Sequence, residues 1–413
     1  MNKVNSKASW ASGKRPLRVY TCTPVCFQGD HWFFTRESGL FSRGLSSLGV
    51  DSVSVMPGPA KEDDEASLLR VPYRQLEISD FWRSLKLDGL ILYSWAAPKY
   101  LPVARAVRAA GVPFLVNIDF CGLVSRAANP NLWWRDLLPY QARGLRSPID
   151  GARFAKHFIQ GFKPSYFASA RLQTYEQASV VCGVSPMAEL WLKNEASRIG
   201  RADLAAKLRY LPHPQMNIFS YGGEPKQKLV LSVGRWEKED WNQKNPAGLI
   251  KALDSFLVKH PAWRACIIGR GAENLISRLK IAPSAANRMQ FVDFLQPADL
   301  VPYYNHASIA CWSSRSEGQI GTGAQALCCG CSVVAGNSGT LSCFHHYVSR
   351  ESGRLAIDMT TDGLAEALML EADAWSQGQR DPQRISSIWR NEFHSNKVAA
   401  RGLEMLGLNI PNT

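Results

Sequence analysis

From residue 308 to residue 335 the chain reads SIACWSSRSEGQIGTGAQALCCGCSVVA. Ser308 to Cys311 is an apolar run of strand length. Three glycines follow close together, Gly318, Gly321 and Gly323, and the spacing then predicts a helix from Gly323 to Cys329. Gly330 stops that helix, and Ser332 to Ala335 opens a second apolar strand. Strand, glycine turn, helix and strand make one unit of a parallel sheet. The turn offers backbone N–H groups and the positive end of a helix dipole to an anion or a hydroxyl-rich ligand. Glu317, at the strand end, can accept hydrogen bonds from two neighbouring hydroxyls.

The same alternation extends in both directions. Upstream, Leu229 to Val233, Ala265 to Ile268 and Met289 to Phe294 read as strands, separated by helical stretches at Pro246 to Lys259, Asn274 to Leu279 and Asp299 to Asn305. Further upstream lies a second such series. Its strands are Leu17 to Cys22, Val50 to Met56, Leu87 to Tyr93, Val112 to Ile118 and Ser179 to Val184, with helices near Phe33 to Leu48 and Lys99 to Ala110. A polar segment, Ser220 to Gln227, separates the two series. The fold class expected is α/β, with two Rossmann-like domains whose parallel sheets face a central cleft, the place where open sheets bind ligands. The expected divisions are a disordered basic tail (1–16), a first domain (17–215), a second domain (216–380) and a C-terminal helix (381–413). That helix, with Ile385, Ile388, Trp389 and Phe393 on one side, is expected to pack back on the first domain.

Composition agrees with a soluble protein of two domains. The chain has 413 residues, 46% hydrophobic and 20% charged, and no apolar run approaches a membrane span of roughly 18 residues. Met1 to Arg15 lacks the apolar core of a secretory signal, so a cytoplasmic location is expected. The ten cysteines show no zinc spacing and read as buried reduced thiols. No metal site is expected. The net charge of +13 is uneven: residues up to Ser220 carry 28 basic and 17 acidic groups, and the remainder 20 and 18. Within the basic half, Arg143, Arg146, Arg153, Lys156, Lys163 and Arg171 are interleaved with Phe154, Phe158, Phe162, Tyr166 and Phe167, against a single acid, Asp150. Arg143 to Arg171 is therefore a candidate contact with an anionic membrane surface, peripheral at its inner face. The competing reading is buried aromatics with solvated cations. No nucleic-acid recognition motif accompanies the stretch.

The glycine-turn run resembles the large family of retaining glycosyltransferases with two Rossmann-like domains, called group 1 or family 4, of GT-B fold. That family carries a Glu, seven residues and a second Glu, between a Ser-x-x-Glu-Gly start and an Ala-x-Gly-x-Pro-Val-Val end. Here Ser313-Ser314-Arg315-Ser316-Glu317-Gly318 matches the start, and Gln325 to Val334 the end. The second Glu is replaced by Gln325 and the usual Pro by Ser332. The resemblance implies that Glu317 holds the transferred sugar, with backbone donors at Gly318, Gln319 and Ile320, and that Gln325 reaches the ribose. It implies that Arg235, in Val233-Gly234-Arg235, and Lys244, in Lys244-Asn245-Pro246, neutralise the donor diphosphate without a metal or other cofactor. Lys238 is a rival for the lysine. Gly29, in the loop after the first strand, matches one glycine of a pair that meets the diphosphate. Ile267-Ile268-Gly269-Arg270-Gly271 resembles the strand that turns near the nucleotide base, and Gly336 to Gly339 with Ser352-Gly353 the last donor-side loop.

In Val116-Asn117-Ile118-Asp119, the position of the family's sugar-facing His is taken by Asp119. Asp119 could accept a hydrogen bond from a sugar hydroxyl, or act as a base if burial raised its pKa.

The function implied is transfer of a hexose-like unit from a nucleoside-diphosphate sugar to a glycan or lipid-linked acceptor, with retention, in cell-surface polysaccharide or glycolipid synthesis. The alternatives are a nucleotide-sugar epimerase or hydrolase of similar fold and a non-catalytic sugar-nucleotide or glycan-binding protein. The sugar, the base and the acceptor are not legible, because they depend on side-chain geometry in loops.

Overall fold

The computed structural model describes residues 15–94, 96, 98–118, 148, 151–152, 155, 164–238, 240–278, 281–315, 317–337 and 343–411. The first sheet contains β1 (Val19–Cys22), β2 (Ser54–Pro57), β3 (Leu68–Val71), β4 (Gly89–Tyr93), β5 (Phe114–Ile118), β6 (Val180–Gly183) and β7 (Leu208–Tyr210). Their spatial order is β3-β2-β1-β4-β5-β6-β7, and every pairing is parallel. The second sheet contains β8 (Gln227–Val233), β9 (Arg264–Ile268), β10 (Met289–Val292), β11 (Ala307–Trp312), β12 (Ser332–Ala335) and β13 (Gly353–Leu355). Its order is β10-β9-β8-β11-β12-β13, again wholly parallel.

Each sheet is buried on both faces, because successive strand residues point to opposite sides. In the first sheet Leu90, Leu92, Phe114 and Val116 face one core, while Ile91 and Leu115 face another. The helix α1 (Glu37–Ser47) supplies Phe41 and Leu45 to that second core. In the second sheet Val230, Ile309 and Val334 meet Leu249, Ile250, Leu253 and Phe256 of α2 (Pro246–Lys259). Leu231, Ala310 and Val333 form the opposite face with Ala324, Ala326 and Leu327 of α3 (Gly321–Cys328).

The C-terminal segment is two helices rather than the single one expected. The first, α4 (Pro382–Phe393), puts Ile385, Trp389 and Phe393 into the second domain's core. The second, α5 (Ser395–Met405), puts Val398, Ala399 and Leu403 against α1 in the first domain. Where they join, the chain lies beside the interdomain linker. Gln215 N–H donates to Phe393 O at 2.7 Å, and Ser395 N–H to Gln215 O at 2.9 Å. The protein backbone thus passes between the domains twice, at one place.

Several elements differ in extent from the expectation, among them three strands and two helix starts. β3, β7 and β13 are short edge or near-edge strands of 3–4 residues, too brief for a pattern. The stretch Phe33–Thr35 is a 3-10 turn and α1 begins only at Glu37. α3 begins two residues earlier than expected, at Gly321. Nine cysteines fall among the described residues, all unbridged, and all but Cys26 are buried. Burial pushes the thiols of Cys22, Cys182, Cys311 and Cys328 far up and that of Cys266 up to about 12.

Candidate active site

In both sheets the strand order reverses beside the first strand, between β1 and β4 and between β8 and β11. Loops leaving such reversal points frame a crevice. Here the two crevices meet in one cleft of about 770 Å³. The loop after β1 lines it with Trp32, Thr35, Arg36 and Glu37. The linker adds His213, Pro214 and Gln215. The loops after β8 and β11 add Gly234, Arg235, Lys244 and Glu317, and α3 adds Gly321, Thr322 and Gln325.

Glu317 and Lys244 form an ion pair, with Oε1 and Nζ 2.6 Å apart and side chains 6% and 13% exposed. Local bonds set this meeting. Ser313 Oγ donates to the carbonyls of Lys244 and Asn245 at 2.8 and 2.9 Å. Arg315 N–H donates to Gln243 O at 2.8 Å, and its guanidinium to Asn245 Oδ1 at 2.9 Å. Asn245 takes a left-handed conformation (φ +50°), which asparagine tolerates, and Pro246 then opens α2. The Ser313–Arg315 turn is in this way stitched to the Gln243–Asn245 turn.

Arg235 is the more exposed cation, 63% accessible and 3.3 Å from Asp240 Oδ1. Lys238 is exposed and does not line the cleft, whereas Lys244 does. Gly269 serves packing: its φ is +132°, and a Cβ there would stand 1.8 Å from Gly234 O. That close approach brings the ends of β8 and β9 together on the cleft floor.

The glycine turn is tied to the linker by amides. Gln319 Oε1 accepts from His213 N–H at 2.6 Å, and its Nε2 donates to His213 O at 2.9 Å. Gln325 Nε2 donates to Gln215 Oε1 at 3.1 Å, while its Oε1 accepts from the Tyr304 hydroxyl at 3.3 Å. Ile320 is buried and precedes the first turn of α3. Gly318 lies between Glu317 and Gln319 without lining the cleft itself.

Gly29 is placed elsewhere. It is not among the lining residues, and a Cβ on it would strike Leu68 Cδ2 at 2.1 Å and Asp64 Oδ1 at 2.4 Å. It packs against Leu68 and Arg70 of β3 and against Asp64. The chain that reaches the cleft is Trp32 to Glu37, which the sequence reading did not single out. Asp119 and Ser316 lie outside the described residues, as does most of Arg143 to Arg171; Arg171 itself is buried. Gly336 is described, and Gly339 is not. Among the described residues no group of His, Cys, Asp and Glu could hold a metal, and no helix is long and apolar enough to cross a membrane.

Residues 227–370 match the family described as Glycosyl transferases group 1. No curated protein matches the chain. Among solved structures, HepE of Anabaena in complex with UDP is similar at a TM-score of 0.61 and 15% identity, covering 95% of this chain and 100% of that one. The lipopolysaccharide outer core galactosyltransferase WaaB gives 0.58 and 12%, covering 95% and 99%. Sucrose-phosphate synthase of Thermosynechococcus elongatus gives 0.55 and 14%, covering 93% and 97%. At these identities the likeness is one of fold. Residues 227–370 thus resemble the glycosyl transferases group 1 family, and the two parallel sheets around them share the architecture of GT-B glycosyltransferase structures.

Proposed function

We propose that the protein transfers a sugar from a nucleoside-diphosphate sugar to a glycan or lipid-linked acceptor, with retention at the anomeric carbon. The observation that carries this reading is the convergence of Glu317, Lys244 and Arg235 on one cleft wall, beside the N-terminal end of α3. A departing nucleoside diphosphate gains negative charge, and two cations fixed beside it stabilise the transition state. Lys244 and Arg235 fill that role. Glu317 accepts hydroxyl hydrogen bonds from the transferred sugar, and Gln325 with Gln215 faces the ribose. The similar fold of HepE in its complexes with UDP and with UDP-glucose supports a donor of this class. Retention rests on the family resemblance alone. Closing the two walls together excludes water, which would otherwise hydrolyse the donor.

The test is calorimetric binding of UDP, GDP, ADP and dTDP, followed by product analysis with the matching sugar nucleotides. Glu317→Ala is expected to abolish transfer and leave binding of the nucleoside diphosphate within a few-fold. Unchanged turnover by that variant sinks the role of Glu317. Free or epimerised sugar formed at full rate without an acceptor would favour a hydrolase or epimerase instead.

A further inference from the structure

Glu37 stands out on the first-domain wall. It is not glycine, yet its φ is +46°, a left-handed conformation that L-residues avoid. Three other described residues share such a φ: Ala96 is buried away from the cleft, and the remaining two have local reasons. Lys86 follows a short helix that ends at Ser84, where a left-handed residue stops the helix, and Asn245 is of the tolerant type. Glu37 sits instead at the first turn of α1.

The flanking contacts force the conformation. Before it, Phe33 and Phe34 are buried edge-on to one another, with centroids 5.1 Å apart. After it, Ser38 Oγ bonds Thr23 Oγ1 at 2.7 Å, and Gly39 lies so close to Phe33 O that a Cβ would stand 2.4 Å away. The reversal between these anchors falls on Arg36, which is extended, and on Glu37. A glycine would make the same reversal without strain. The strained backbone therefore carries a carboxylate to the cleft, and strain of this kind gathers at ligand-binding positions.

We propose that Glu37 is a specificity-determining residue that holds hydroxyl groups of a sugar in the cleft. This inference rests on the glycosyl-transfer reading given above. Electrostatics chooses the hydroxyls over the diphosphate. A carboxylate repels a pyrophosphate, whereas its two oxygens accept from two sugar hydroxyls. The cations that suit the pyrophosphate, Arg235 and Lys244, are on the opposite wall. Trp32 lines the same cleft as Glu37, its ring packed 5.3 Å from that of Phe294, and adds apolar surface to the lining. The hydroxyls can belong to the transferred sugar or to the acceptor.

Glu37→Gln and Glu37→Gly separate binding from folding. The donor arm measures the affinity of UDP-glucose, GDP-mannose and ADP-glucose against that of the parent nucleoside diphosphates. The acceptor arm measures KM for methyl glucoside and methyl mannoside with the best donor. Both variants are expected to bind the parent nucleoside diphosphate within twofold of wild type and to lose at least tenfold in one arm, and the arm affected identifies which sugar Glu37 holds. Glu37→Gly is expected to melt at or above the wild-type temperature, since strain is relieved. Values within twofold of wild type in both arms overturn the proposal. So does a Glu37→Gly variant that melts several degrees lower and loses nucleoside-diphosphate binding in parallel, since the residue then serves folding. A wild-type protein that binds none of the nucleoside diphosphates refutes the donor reading itself. Binding of the two methyl glycosides to wild type and Glu37→Gln, followed calorimetrically, then decides the role of Glu37, with equal affinities overturning it.

Discussion

Lys244 and Glu317 hold one another in a nearly water-free corner of the cleft. Each offsets part of the other's cost of burial. Lys244→Ala therefore has two effects. It leaves a buried carboxylate without its ion-pair partner, keeping the 3.5 Å bond from Gln243 Nε2, at a cost of roughly 3 kcal/mol, and the melting temperature is expected to fall by several degrees. It also removes a cation from the diphosphate, with kcat/KM for the donor expected to fall about a hundredfold. Lys244→Arg retains charge but places a planar fork where a compact ammonium fits, so recovery is expected to be partial. A variant that melts and turns over like wild type would show that the pair is dispensable. At the same scale, Gln325 was legible as a departure from the family pattern, but its partner was not. In the fold that amide meets Gln215, which is 110 residues distant along the chain, at 3.1 Å.

At the level of elements, the alternation of strand and helix was readable wherever runs were long and apolar. β12 and α2 lie where their patterns place them, from Ser332 to Ala335 and from Pro246 to Lys259. β3 escaped because Arg70 stands within a strand of four residues. Only the fold shows that its guanidinium is covered, bonded to Asp64 Oδ2 at 2.6 Å and to Phe27 O at 2.7 Å. The start of α1 escaped for a related reason. Phe33 and Phe34 look helical by spacing, yet they anchor a turn, and that single shift moved the cleft contact from Gly29 to Glu37. On the opposite wall Arg235 and Glu317 line the cleft at the strand ends where their motifs place them, and Lys244, set beyond a long loop with Lys238 as its rival, is the lysine that lines it. Tertiary pairing such as that of Gln319 with the linker leaves no periodic trace. Gln319→Glu tests that pairing: the bond from His213 N–H survives, while a carboxylate oxygen replaces the amide that faces His213 O. Donor affinity is expected to fall at least fivefold in calorimetry, with a modestly lower melting temperature. Equal affinity would show that the turn does not depend on the linker.

Across the whole molecule, the second passage between the domains carries a titrating group. His394 is buried where α4 ends, and its Nε2 is 2.8 Å from Phe219 O. Burial lowers its pKa below the ordinary histidine value, helped by the charges of Arg390 and Lys397 and opposed by the bond to Phe219. The unfolded chain therefore takes up a proton at a pH where the folded chain does not. Stability from this source is complete above about pH 6.5 and declines as the pH falls below it. Melting temperatures measured between pH 8 and 5 are expected to show that decline, and His394→Gln, which keeps a donor but does not titrate, to flatten it. The distribution of thiols has another consequence. Cys22 and Cys182 are enclosed in the first domain, and Cys266, Cys311, Cys328, Cys329, Cys331 and Cys343 in the second, while Cys26 alone of the described cysteines faces solvent. A thiol-reactive dye added to the native protein is expected to attach at Cys26 ahead of these eight. As denaturant rises, the order in which peptides from each half acquire the dye becomes a clock, read by mass spectrometry, that tells which half of the molecule opens first.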